Sequence, residues 1–597
     1  MLFSLIKLEI VLLSILLLVD VLTIKTEFWK KYKFEKKDLA PLVVITILSI
    51  IFSIPMITSG YFGNSLRLVG VNNIDGIWYL AQITELKNNF PPQHPGFAGY
   101  PLTGYHFLYF FLLAKISNIF GIPSVTLLFS FGSVLTAVMW GLGVYCLILK
   151  WSKDRINALI AVFLTMFGGS FVFISWLQGH RALDLDSGYG ILQPPLSLLN
   201  PPFAISVVFL TAFLISSYEY FKSNNKSWIF PLVLIAGAVS LFKVYAGIII
   251  LGGFLFIVLV NLLQKKFYII YGLIGVILLF FATYWPFTDK TAHLIFYPLW
   301  APHSVLKDNM PWYGYTEKFY TYSREHVIKG LITIESYALF IFLIGNIGSR
   351  IIGLVVLPFI YFKKRKLPSL FSSMVFLMLL GSILTTLFFI QTGKVFETIQ
   401  FSWYFLFLIS LFSSFGLAFI LELKYPKFLK YVFIILFLII TLPSAVSSIL
   451  KYTSPTGGFI DPAFYSASIY LKNHGSYNQT VLTVPNGVGS TSAALNKWYI
   501  STNPIVPAIM NKRSFLSFEY FYFNGLNTNE RLNLIKLIIN TESSGSKDKS
   551  SIEDIKKALK KYDIVYIYSM KPLKFAQKTD NIKAVYNRSG QYIYEVN

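Results

Sequence analysis

The sequence predicts an α-helical polytopic membrane protein with about twelve transmembrane helices, added interfacial helices and a small C-terminal α/β domain. Three observations predict it. Hydrophobic residues make up 55% of the chain and charged residues only 13%, against roughly 25% charged in soluble domains. Apolar runs of about 18 residues or more, the length a helix needs to cross hydrocarbon, recur through the first three-quarters. Beyond about residue 450 these runs stop, and strand and helix patterns alternate instead.

Spans are expected near 2–24, 40–59, 122–149, 157–177, 202–221, 228–243, 246–263, 268–287, 334–361, 368–390, 401–422 and 429–449. The first is long enough to remain as a span and has no small-residue cleavage site after it. The net charge of +23 does not indicate a nucleic-acid groove, because the basic residues sit in short runs such as Lys30-Lys31, Lys265-Lys266 and Lys363-Lys364-Arg365-Lys366 between apolar stretches. Six short loops (25–39, 150–156, 222–227, 264–267, 363–367, 424–430) hold 20 of the 51 Lys and Arg. The longer loops opposite hold about half as many, so the basic loops face the cytoplasm and both termini face outward. The stretch 105–120 is short and carries Lys115, Ser117 and Asn118, so it reads as a surface-lying or re-entrant helix and not as a crossing. The segment 77–88 reads as a second interfacial helix with Trp78 and Tyr79 at headgroup depth.

The domains are therefore a transmembrane domain, 1–449, whose first outward loop is 60–121, and an extracytoplasmic domain, 450–597, on an integral plasma (cytoplasmic) membrane protein. In the tail, Asp461 is placed to cap a helix running through Lys472. Val481–Val484 reads as a strand, 529–540 as a helix, Ser543–Ser546 as a break, Ile552–Lys561 as a helix, and Ile564–Tyr568 as a strand. Val585–Asn587 and Tyr592–Tyr594 flank Ser589-Gly590 as a hairpin. The lone Cys146 excludes an intramolecular disulfide framework.

Polar residues that interrupt such a chain are functional candidates, since charge near hydrocarbon is costly unless solvated, paired or used. Asp75 lies in the first outward loop; its structural reading is a cap on a helix beginning at Gly76. Asp184 and Asp186 form a second acidic pair whose i, i+2 spacing suits metal ligands or a solvated loop. Lys243 breaks an apolar run at a junction between two spans. Arg350 falls within a span and needs an anionic or carbonyl partner. His94 and His106 sit among aromatics, and Lys394 and Glu397 occupy a short outward turn. No His/Cys cluster has zinc-type spacing; no cofactor is assigned, and a divalent cation is left open.

Several stretches resemble the GT-C superfamily of polytopic glycosyltransferases, particularly an uncharacterised bacterial branch near the protein mannosyltransferase and aminoarabinose transferase groups. They are Asn73-Ile74-Asp75-Gly76, Tyr105-His106-Phe107-Leu108-Tyr109, Asn200-Pro201-Pro202-Phe203-Ala204, Leu241-Phe242-Lys243-Val244-Tyr245-Ala246, and in the tail Ala467–Lys472 and Lys561–Ile567. The resemblance implies an inverting transferase that moves a sugar from a polyprenyl-phosphate donor to a glycan, lipid or protein acceptor on the outer face. In that reading Asp75 is the base. Lys243, with Lys394 or Arg350, holds phosphate, His106 shapes the pocket, and His94 positions the acceptor or contacts phosphate. Asp184, Asp186 and Glu397 are a second acidic site, and the tail recognises acceptor or shields the site. The pattern departs from the family in one respect. Many members carry paired acidic residues in the first loop, whereas Asp75 stands alone, so either one base suffices or its partner comes from elsewhere. The rival readings are a transporter or flippase of lipid-linked saccharides, which predicts internal repeats and midplane charges, and a non-catalytic envelope scaffold.

Overall fold

The computed structural model describes residues 39–63, 65–178, 188–288, 293–309, 315–364, 368–392, 395–453, 459–484, 504–517, 528–543 and 549–597. The expected span at 2–24, and Asp184, Asp186 and Lys394, lie outside these residues. The chain divides into Met1–Ile47 and Leu48–Asn597, so the tail shares one compact unit with nearly all of the helices and the first loop.

Among the described residues nine helices are long and apolar enough to cross a membrane. Helix α1 (Leu39–Ile57) leads into a short hairpin, β1 (Gly60–Phe62) and β2 (Ser65–Arg67). Two non-spanning helices follow in the first loop, α2 (Asp75–Asn88) and α3 (Leu108–Phe120). The bundle continues with α4 (Ser124–Ser152), the shorter α5 (Arg155–Phe167) and α6 (Val172–Leu177), then α7 (Pro201–Ser223), the shorter α8 (Lys226–Leu241), α9 (Val244–Leu263) and α10 (Ile269–Phe287). Strand β3 (Leu294–Phe296) and helix α11 (Tyr315–Arg324) precede α12 (Ile328–Ile360) and α13 (Leu370–Phe388). Strand β4 (Phe389–Gln391) pairs back to β3, and α14 (Val395–Glu422) and α15 (Lys427–Thr453) complete the bundle.

Local chemistry sets several helix ends. Asp154 caps α5 by accepting from the Ile156 and Asn157 amides, and Asn200 caps α7, whose first two residues are the prolines 201 and 202. Proline costs nothing there, because its missing N–H is one of those a helix start leaves unpaired.

Three expected spans are corrected. The stretch 157–177 is not one helix: α5 ends at Phe167 and α6 begins at Val172. The stretch 228–243 is a shorter apolar helix ending in a 3-10 turn before Lys243. The helix expected at 334–361 starts earlier, at Ile328, and is interrupted by a 3-10 turn at Gly348–Arg350. The first and third interruptions meet. Gly348 has a φ of +57° and packs so closely on residues 169 and 170 that a Cβ would overlap the Gly169 carbonyl oxygen. Arg350, fully buried, donates to the carbonyls of Gly168 (2.6 Å), Ile347 (3.1 Å) and Asn346 (3.4 Å) and to the Ser410 hydroxyl (2.9 Å). The guanidinium thus satisfies backbone that the helix breaks release inside an apolar bundle, where leaving it unmade would cost several kcal/mol. Gly348→Ala adds both left-handed strain and overlap, and is expected to cost about 2–4 kcal/mol. The thermal midpoint of the detergent-solubilised chain measures it; an unchanged midpoint would mean that the packing there is slack.

The tail carries a five-stranded mixed sheet of order β6-β5-β7-β9-β8. Its strands are β5 (Thr480–Val484), β6 (Arg513–Ser514), β7 (Ile564–Ser569), β8 (Ile582–Arg588) and β9 (Gln591–Val596). The first three run parallel, and β9 is antiparallel to β7 and β8. Ser589 and Gly590 both have positive φ, as a two-residue hairpin turn of type I′ requires. The helices Pro462–Asn473 (α16), Asn529–Ser543 (α17) and Lys549–Lys561 (α18) accompany the sheet, the first capped by Asp461 as expected. The core combines Leu482, Ile538, Ile555, Ile567 and Phe575 of the tail with Phe97 of the first loop.

The loops segregate to two ends of the bundle. At one end Lys150 pairs with Glu219 (2.5 Å), Lys266 donates to Asn224 (2.8 Å) and Lys226 lies over Tyr268. These are the short basic loops. The first loop, the end of α10, residues 293–304, the Glu397 turn and the tail meet at another, through the Gly104–Phe287, His293–Thr392 and Ala98–Ser514 hydrogen bonds.

Candidate functional site

Five separate segments converge at the tail-bearing end. Lys243 occupies an extended position (φ −163°) between the turn ending α8 and the first residue of α9. It is 1% exposed. Its Nζ lies 3.3 Å from His106 Nε2 and 3.5 Å from Asn200 Oδ1, the atom that also caps α7. An ammonium has only donors, so Nε2 accepts and the His106 ring proton sits on Nδ1. Lys243 also sits at the N-terminal end of α9, where the helix dipole adds positive potential.

Two residues on, Tyr245 lies 5.4 Å from Lys243 Nζ at its ring centre and donates its hydroxyl to Glu397 Oε2 at 3.1 Å. Gln400, one turn after Glu397 within α14, donates to the same oxygen. Two donors on one oxygen hold the carboxylate in a fixed orientation.

Tyr105 joins this group to Asp75. Its ring stacks on His106 (4.4 Å between centres, 19°) and meets Trp78 edge-on at 5.5 Å. Burial raises the pKa of its hydroxyl, and the negative charges of Asp75 and then Glu397 raise it further. Both carboxylates therefore act on the same phenol. Asp75 and Glu397 reach this group from segments far apart in the chain.

Asp75 is the first residue of α2 and is partly buried, so the helix begins one residue earlier than a cap before Gly76 requires. A carboxylate in the first turn is favoured by the helix dipole. The preceding loop is held by Asn72, which donates to the Pro55 carbonyl and the Ser59 hydroxyl, each at 3.0 Å. Trp78 and Tyr79, expected at headgroup depth, are buried within the protein: Trp78 packs against His94 and Tyr105, and Tyr79 stacks on Phe110 of α3. Glu85, buried on α2, accepts from Asn89 (3.0 Å) and the Gln93 amide (2.9 Å), and its other oxygen accepts the Tyr477 hydroxyl of the tail.

The adjoining loop is clamped as well. Arg531 of α17 donates to the Ala98 carbonyl (2.6 Å) and lies 3.8 Å from the Phe97 ring centre. Burial pushes its pKa down to about 10, which leaves it charged at neutral pH. His94 belongs to this clamp: it is buried, its Nδ1 accepts from the Gly96 amide at 3.2 Å, and its ring lies 5.5 Å from Trp78.

The structure thus brings together Asp75, His106, Lys243 and Glu397, with His94 joined to His106 through the rings of Trp78 and Tyr105. Arg350 is the exception. Its donors serve the helix breaks described above, which corrects its assignment to phosphate. Lys394, Asp184 and Asp186 lie outside the described residues. Sequence reasoning missed Tyr245 and Gln400, although each follows a candidate at short spacing, and it missed Glu85 and Arg531, whose roles need the tail in place. Among the described residues no three His, Cys, Asp or Glu side chains group closely enough to hold a metal ion.

No family model matches the chain, and no curated protein matches it. Among solved structures it is similar to the archaeal oligosaccharyltransferase AglB from Archaeoglobus fulgidus in complex with an inhibitory peptide and a dolichol-phosphate (14% identity over 94% of this chain and 74% of that one, TM-score 0.48). It is similar to the Archaeoglobus fulgidus oligosaccharyltransferase in complex with Zn and sulfate (14%, 89% and 67%, TM-score 0.44). A third similarity is to ArnT from Cupriavidus metallidurans bound to undecaprenyl phosphate (10%, 92% and 97%, TM-score 0.38).

Proposed function

We propose that this chain is a membrane glycosyltransferase that moves a sugar from a polyprenyl-phosphate donor to an acceptor hydroxyl or amide, with inversion. The observation that carries the reading is the convergence of a buried cation with two carboxylates at one end of an apolar bundle. Transfer from a lipid phosphate needs a cation where the phosphate departs and a base where the acceptor approaches. Lys243, backed by the α9 dipole, meets the first need; Asp75 meets the second.

In one displacement the acceptor attacks the anomeric carbon and the bond from that carbon to the phosphate oxygen breaks. Asp75 takes the acceptor proton, and polyprenyl phosphate leaves against Lys243. Glu397, held by Tyr245 and Gln400, is the second carboxylate of the site, and Tyr105 separates it from Asp75. The motif resemblance to GT-C transferases supports the same assignment at Asp75, His106 and Lys243. The basic loops gather away from the site, and the positive-inside bias supports a site and a tail outside the cytoplasm. Membrane lipid supports the polyprenyl chain, and the acceptor is a glycan, lipid or protein.

The full chain reconstituted in vesicles, given labelled polyprenyl-phosphate sugars in a panel, is expected to release polyprenyl phosphate and label an acceptor. Movement of intact donor between leaflets without cleavage would instead make it a transporter.

A further inference from the structure

A cavity of about 450 Å³ opens between α11 and the first turns of α12. Tyr315, Tyr322 and Tyr337 line it together with Lys318 and Lys329, and among the described residues no carboxylate does. None of Asp75, His106, Lys243 and Glu397 lines it either. Neither lysine forms an ion pair among the described residues. The nearby carboxylates have other partners: Glu335 pairs with His303, and Glu325 with Arg324. Tyr315 is 7% exposed, and its hydroxyl, shut off from solvent, has no hydrogen-bond partner among the described residues. A buried hydroxyl left without a partner is costly, so its retention beside a cavity points to a ligand.

Depth identifies the ligand class. Ile328 and Ile332 on α12 are 69% and 61% exposed, on a helix whose length and composition suit a span, which is the pattern of a lipid-facing surface. Lys329 stands between them in the first turn, at the level where lysine side chains and tyrosine rings meet headgroups. Two ammoniums and several phenols at that depth, with apolar side chains below, match a phosphate diester whose acyl chains run down the helix.

We propose that this cavity binds the headgroup of an anionic phospholipid, with Lys318 and Lys329 on the phosphate, and that the bound lipid seats α11 against α12. The assignment stands apart from the transferase reading and does not depend on it.

Native mass spectrometry of the full chain in detergent, titrated with phosphatidylglycerol or phosphatidylcholine of the same acyl chains, tests it. The wild type is expected to retain phosphatidylglycerol about tenfold more tightly than phosphatidylcholine. Lys318→Ala with Lys329→Ala removes that preference, the paired arginine variants keep it, and Tyr315→Phe weakens it. Both lysines are exposed, so the alanine variant leaves the core intact, which an unchanged thermal midpoint confirms. Equal retention of the two lipids, or a preference unchanged in the double alanine variant, would overturn the proposal. Complete displacement of phosphatidylglycerol by inorganic phosphate alone would also overturn it, by making the site one for the free ion.

Discussion

An Asp75→Asn chain is expected to lose about 10²- to 10⁴-fold of the transfer rate while still binding the lipid phosphate, because asparagine keeps the shape of the side chain and cannot take a proton. The structure makes this substitution a clean one. Asp75 is a partly buried first-turn residue, where asparagine fits without disturbing the helix, and the loop before it is anchored separately by Asn72. Fold and thermal midpoint are therefore expected to stay near the wild-type values, with only a small loss of dipole interaction of about 0.5 kcal/mol. The assay is single-turnover release of polyprenyl phosphate from labelled donor in vesicles. Undiminished release would remove Asp75 from the mechanism, and would leave Glu397 as the remaining carboxylate of the cluster.

Lys243→Met is expected to separate function from stability. Methionine approximates the volume of the lysine stem and keeps the buried site filled, but it removes the charge that faces the departing phosphate. Losing one preorganised partner of a developing anion costs about 10²–10³-fold in rate. Stability is expected to hold or rise, since a lysine 1% exposed carries a desolvation cost that methionine does not. His106 Nε2 loses a donor, and Asn200 keeps its cap on α7. Rate and thermal midpoint on the same preparation decide the matter. A variant that loses both together would make Lys243 a structural residue, and one that keeps its rate would remove it from phosphate binding.

Much of the bundle was legible because long uncharged runs have few alternatives to spanning helices, as at 201–223, 244–263 and 370–388. Short-range chemistry was legible in the same way: Asp461 caps its helix, and Ser589-Gly590 turns the last hairpin. The interruptions at 168–171 and 348–350 were not, because hydropathy is alike on both sides of them. They exist through a close approach at Gly348 and a buried guanidinium, which are pairings between distant segments.

The burial of Trp78 was missed for a related reason. An apolar aromatic beside a membrane reads as an interfacial anchor until His94 and Tyr105, distant along the same loop, are seen packed against it. In the site, Asp75, His106 and Lys243 each broke a local pattern and could be found singly. That the charges of Glu397 and Asp75 both raise the pKa of the Tyr105 hydroxyl has no local signature at all.

The most direct measurement is a cryo-electron microscopy map of the full chain with polyprenyl phosphate added. The account predicts phosphate density within about 3 Å of Lys243 Nζ, with the face toward Asp75 open to an acceptor. Phosphate density at the α11–α12 cavity alone, or deep in the bundle away from Lys243, would contradict it.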